Sequence, residues 1–91
     1  MHFCMYHKYL GEFLGSALLT FVAIKSSNAL FIAIAYFFAL ILLGKISKGY
    51  FNPAITLALM YNNKLPRSDV LPYIVMQIGG ALCVYSVLQM I

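Results

Sequence analysis

Ser47-Lys48-Gly49-Tyr50-Phe51-Asn52-Pro53-Ala54-Ile55-Thr56-Leu57-Ala58-Leu59-Met60-Tyr61-Asn62-Asn63-Lys64 is the stretch that decides how this chain is read. Asn52 is a strong helix N-cap, because its side-chain oxygen accepts from the orphaned N–H groups of a first turn. Pro53 then falls at the first helical position, where a missing N–H leaves nothing unpaired. Asn62 and Asn63 mark the other end, and Lys64 adds a cation where the helix dipole is negative. A helix over 53–62 is ~15 Å long at 1.5 Å per residue, half of a hydrocarbon core ~30 Å thick. The residues before it, Ser47 to Phe51, are too polar and Gly-containing to span a membrane. A capped half-length helix behind a flexible stretch suits a re-entrant segment. Irregular backbone at membrane depth is tolerated only where protein buries it or water fills the cavity it lines. The other placement is an interfacial amphipathic helix, for which Ala-Ile-Thr-Leu-Ala-Leu-Met-Tyr has almost no polar face.

Three longer apolar pieces surround this one, at about 9–24, 29–44 and 70–91. The first two are ~24 Å long as helices and the last ~33 Å. Lys8, Lys25 and Lys45 can snorkel from the ends of the shorter two, and Pro72 is expected in the first turn of the last. Basic residues, an apolar run and Ser27-Asn28-Ala29 imitate a secretory signal, but Glu12 inside that run favours an uncleaved first span. Of the 91 residues, 64% are hydrophobic and 9% charged, and the only acids are Glu12 and Asp69. An average globular chain carries ~25% charged residues, so the solvent for this one is a bilayer. The expected fold is an all-α membrane protein, a single domain of three transmembrane helices plus one re-entrant half-helix.

Composition removes most other functions. The net charge of +4 comes from cations scattered singly beside apolar runs, which is the pattern of membrane anchors and not of a nucleic-acid patch. Cys4 and Cys83 sit near opposite ends, and His2 and His7 lie on an N-terminal stub, so no disulfide framework, metal site or cofactor is expected. There is no Ser-His-Asp set, phosphate-binding Gly loop or close acid pair, and no enzyme is expected.

Phe51-Asn52-Pro53-Ala54-Ile55-Thr56 resembles the Asn-Pro-Ala signature of the aquaporin and glycerol-facilitator family, the major intrinsic proteins. Gly11-Glu12-Phe13-Leu14-Gly15-Ser16 resembles the Glu-Phe-Leu-Gly-Thr of that family's first helix. Gln77-Ile78-Gly79-Gly80-Ala81 resembles the Gln-x-x-Gly-Ala of its third. The likeness covers the whole chain but only the first of the family's two inverted repeats, each of which has three spans and a half-helix. It implies a half-aquaporin fold and passive transport of water or small neutral polyols. Asn52 would cap the half-helix and point its amide donor into the pore, and Pro53 and Ala54 would pack against counterparts from a second half. The backbone carbonyls of Gly49, Tyr50 and Phe51 would line the pore, and the positive end of the half-helix would oppose cations and protons. Glu12 and Gln77 would brace this loop, with Gly11, Gly15 and Gly80 allowing close helix packing.

The departures from the family pattern are local. Ser-Gly-Ala-His usually precedes the residue before Asn-Pro-Ala, where this chain has Ser47-Lys48-Gly49-Tyr50, placing a bulkier ring and a cation at that mouth. The second span's contribution to the selectivity constriction is Ile32 in an ungapped match, or Tyr36 if a turn is missing. Arg67 follows the half-helix and does not match the constriction Arg, which the family carries in its second repeat. Lys8, Lys45, Lys48, Lys64 and Arg67 fall on one side and Lys25 alone on the other, which predicts a cytoplasmic N-terminus and a C-terminus opposite. The expected partners are the lipid bilayer, water or a small neutral solute, and either an oligomer or a partner chain supplying the second repeat. Two other readings stay open: a small proton-coupled cation transporter using Glu12, and a non-conducting truncated scaffold.

Overall fold

The computed structural model describes residues 2–91, with side chains from Tyr6 onward. The side chains of His2 and Cys4, discounted above as ligands, therefore lie outside the described residues. Four helices follow in chain order, α1 (His2–Lys25), α2 (Ala29–Ser47), α3 (Pro53–Tyr61) and α4 (Arg67–Met90). No strand occurs among the described residues. Two of the helices, α2 and α4, are long and apolar enough to cross a membrane.

Helix and apolar segment do not coincide at their ends. α1 begins well before Tyr9, and α2 continues through Lys45 to Ser47 instead of closing at Gly44. α4 starts at Arg67, so Pro72 lies one turn further into it than the apolar run implies. Apolarity marks what lipid can cover, whereas a helix stops only where its backbone ladder is broken. α2 stops at Lys48, which turns left-handed at φ 74° while its N–H still bonds the Gly44 carbonyl. The starts of α2 and α3 are set by side chains: Asn28 accepts from the Leu30 and Phe31 N–H groups, and Asn52 from those of Ala54 and Ile55.

α1 packs against both α2 and α4, and α3 lies on α4. The interior is the reverse of a water-soluble protein's. Among the residues whose side chains are described, Glu12, Ser16, Ser47, Thr56, Asp69 and Gln77 are buried, together with the apolar residues Ala39, Phe51, Leu65 and Tyr73. Phe31, Phe37, Leu42 and Leu71 are all more than half exposed. In lipid such a surface costs nothing, while every buried polar atom needs a partner inside the protein.

Glycines let the elements meet. A Cβ on Gly80 would strike the Phe13 carbonyl of α1, and one on Gly11 would come within 2.8 Å of Ser47 Cβ. One on Gly15 would overlap the Phe51 ring. The spacing Ala29-x-x-x-Ala33, which also suggests packing within the subunit, does not provide it, because both alanines are exposed. At the N-terminal ends of α1 and α4, Lys8 Nζ meets Asp69 Oδ2 at 2.7 Å, and Tyr9 Oη donates to Asp69 Oδ1 at 2.8 Å.

Candidate functional site

Glu12 projects from α1 into the junction of all four helices with no exposed surface. Its Oε1 accepts from the Phe51 N–H at 2.7 Å and from Gln77 Nε2 at 2.7 Å. Its Oε2 accepts from Ser47 Oγ at 2.8 Å and from the Tyr50 N–H at 3.3 Å. A carboxylate has about four acceptor sites, and donors from α2, α4 and the loop before α3 fill them. The cost of burying an acid is met by these bonds, since no cation touches it.

The network extends from both partners. Gln77 Nε2 also donates to Thr56 Oγ1 at 2.8 Å, and that hydroxyl donates to the Asn52 carbonyl at 2.8 Å. Tyr73 Oη closes the end of α2 by donating to the Ser47 carbonyl at 2.7 Å. Ser16 Oγ donates to the Phe51 carbonyl at 3.1 Å, and Tyr36 Oη to the Tyr50 carbonyl at 3.4 Å. Residues 49–51 are thus fastened on both sides of the backbone. Such fastening is needed, because Gly49 and Phe51 have φ of 70° and 55°. For Phe51 the left-handed region is a conformation that a non-glycine residue rarely holds unaided.

The motif residues take distinct positions. Asn52 is exposed, with its Oδ1 committed to the cap at 2.7 Å from the Ala54 N–H. The cap fixes the orientation of the amide and leaves its two N–H donors out of the capping bonds. Ala54 is exposed and Pro53 half-buried on the same end of α3, and Gly49 and Phe51 are buried. Tyr50 is half-buried and reaches the Lys64 carbonyl with its hydroxyl at 3.4 Å. Of the two constriction candidates, Tyr36 is drawn to the loop, its ring edge-on to Phe51 at 6.0 Å between centroids. Arg67 opens α4.

Ser16, Ser47, Thr56 and Tyr73 are members of this network that a motif reading passes over. Their signal in the sequence is polarity inside apolar runs, where each isolated hydroxyl requires a partner. A hollow of about 810 Å³ lies elsewhere, between α1 and α4 against Tyr6, Leu10, Leu71 and Met76. It is apolar, and none of the motif residues reaches it.

A chain of outward-facing apolar helices, closed on a polar hub that holds one capped half-length helix, is the architecture of a membrane protein built around that helix's N-terminus. The family model for the major intrinsic proteins matches residues 1–91, and the chain belongs to that family. It is 39% identical over 84 residues to a protein of Lactiplantibacillus plantarum named glycerol uptake facilitator protein-like 6, covering 82% of this chain and 39% of that protein. It is 37% identical over 83 residues to aquaporin Z of Brucella melitensis, covering 85% of this chain and 36% of that one. The glycerol uptake facilitator protein of Escherichia coli is 33% identical over 88 residues, covering 81% of this chain and 31% of that one. The chain spans between 31% and 39% of the length of these relatives. No solved structure matches it.

Proposed function

We propose that this chain forms one half of a pore for water or small neutral polyols, in which Asn52 orients the passing solute. The observation that carries the reading is the exposed Asn52 side chain, whose oxygen is committed to capping α3 so that the amide is fixed in orientation. A donor pair fixed in direction suits a hydroxyl or water oxygen and offers nothing to a cation. The positive end of α3 lies at the same point and repels cations and protons. Relatives named for water and for glycerol uptake support the substrate class.

In this reading α1, α2 and α4 span the bilayer and α3 enters it from the cytoplasmic face with its N-terminus at mid-depth. Lys8, Lys48, Lys64 and Arg67 then lie on the cytoplasmic side with the N-terminus. Pro53 and Ala54 meet a second half-helix, from a partner chain or from a second copy in the opposite orientation. The pore acceptors are the carbonyls of Gly49, Tyr50 and Phe51; those of Tyr50 and Phe51 each accept one hydroxyl, from Tyr36 and Ser16, and keep a second lone pair. Glu12 and Gln77 act as braces. A proton-coupled cation site at Glu12 fits poorly, because four donors already fill the carboxylate.

Osmotic swelling of proteoliposomes tests the proposal. Co-reconstitution with a chain carrying the second repeat raises water or glycerol permeability above that of empty liposomes, and Asn52→Asp reduces it severalfold. Unchanged permeability in the Asn52→Asp variant would remove the assigned role. Proton-driven uptake of a cationic dye, abolished by Glu12→Gln, would replace the pore by the transporter.

A further inference from the structure

We propose that the hollow between the end of α3 and the start of α4 binds a phosphate group. It has a volume of about 440 Å³, and Lys48, Tyr61, Asn63, Lys64 and Arg67 are among the residues lining it. Three of the chain's six Lys and Arg residues therefore share one cavity, and no carboxylate lines it. Glu12 is engaged in the hub, and Asp69, in the first turn of α4, is bonded to Lys8 and Tyr9 while its charge also acts on Lys48. Three cations set near one carboxylate that is already shared with Lys8 still repel one another, and an anion placed among them relieves that repulsion.

The cavity is held in shape by a cross-chain clamp. Lys48 Nζ donates to the Lys64 carbonyl at 2.9 Å, and Tyr50 Oη reaches the same carbonyl at 3.4 Å. That bond uses one of the three donors of the ammonium group, so the others remain for a ligand. Lys48 takes a left-handed φ of 74°, a conformation that glycine would hold more easily. Arg67 brings a planar fork of donors suited to phosphate oxygens. No side chain caps the start of α4, so its N–H groups ahead of Asp69, whose own N–H bonds the Pro66 carbonyl, add donors of the same sign.

The shared ligand chemistry is a phosphate mono- or diester, whose sources are an anionic lipid headgroup at the membrane surface or a free phosphate in solution. The site lies at the opposite end of α3 from Asn52 and is read without any permeability measurement, so it stands or falls separately from the pore.

Melting of the purified full chain in detergent, followed by circular dichroism, tests the site through ligand-linked stabilisation. The probes are inorganic phosphate, phosphatidylglycerol, phosphatidylcholine, and chloride at matched ionic strength. The expected result is a rise of several degrees with phosphate or phosphatidylglycerol and none with chloride. The rise is lost in the combined Lys48→Gln, Lys64→Gln and Arg67→Gln variant and kept in Lys25→Gln. A response to phosphatidylglycerol alone assigns the lipid headgroup, and one to inorganic phosphate alone assigns a soluble ligand. Should the triple variant fail to fold, Arg67→Gln alone must at least halve the rise. No rise with either phosphate probe, or an equal loss in Lys25→Gln, overturns the proposal.

Discussion

Replacing Glu12 by alanine takes the acceptor away from two backbone N–H groups, from Gln77 and from Ser47 at once. A buried donor left without a partner costs about 1–3 kcal/mol, so the loss from the two backbone groups alone exceeds about 2 kcal/mol. Thermal melts in detergent should show Glu12→Ala far below the parent chain. Glu12→Gln keeps the volume but turns an N–H2 toward donors, and it should also melt lower. A Glu12→Gln chain as stable as the parent would show that the carboxylate has a task other than bracing. Glu12 and Gln77 were legible as candidates because a charged group and an amide stand inside apolar runs. Their partners were not, since Gln77 is 65 positions from Glu12 and backbone N–H groups leave no mark in a sequence.

Two glycines make a matched comparison of how the helices fit together. Gly80 sits where α4 touches the backbone of α1, and an added Cβ meets the Phe13 carbonyl, which cannot rotate away. Gly80→Ala must push the helices apart and should destabilise by about 1–3 kcal/mol. Gly44 lies inside α2 with nothing within 4 Å of its added Cβ. There alanine only removes the entropy cost of glycine, and Gly44→Ala should raise the melting point by the equivalent of about 0.5–1 kcal/mol. The opposite signs are checked in one set of melts. In sequence the two residues look alike, as small residues in apolar runs. The helix start capped by Asn52 was readable, whereas the cap at Asn28 was passed over among the turn residues Lys25 to Asn28, and the left-handed stop at Lys48 was not readable because lysine has no preference for it.

The chain as a whole presents phenylalanine, leucine and isoleucine outward and closes on hydroxyls, an amide and two acids. Its single-chain form should therefore partition into detergent or lipid and precipitate when these are withdrawn, which centrifugation after detergent removal checks. The exposed start of α3 has a further consequence. Asn52 and Ala54 are both exposed. Proteoliposomes of the chain alone should match empty ones in swelling unless copies insert in both orientations. Crosslinking between cysteines introduced at Ala54 would detect such pairs.

Helix content, the membrane as solvent, the capped half-length helix and the family were all set by local signals: hydropathy over tens of residues, an asparagine cap, a proline and three short motifs. These survive translation along a line because each depends on neighbours a few positions apart. The tertiary structure decided what those residues touch. It chose Tyr36 over Ile32 to meet the loop, turned the Phe51 carbonyl onto Ser16, joined Thr56 to Gln77 and gathered three cations into one cavity. The reason is geometric. Hydrogen bonds are short and directional, so which polar atom satisfies which depends on how the helices cross, and the crossing is known only once the glycine contacts have brought the backbones together.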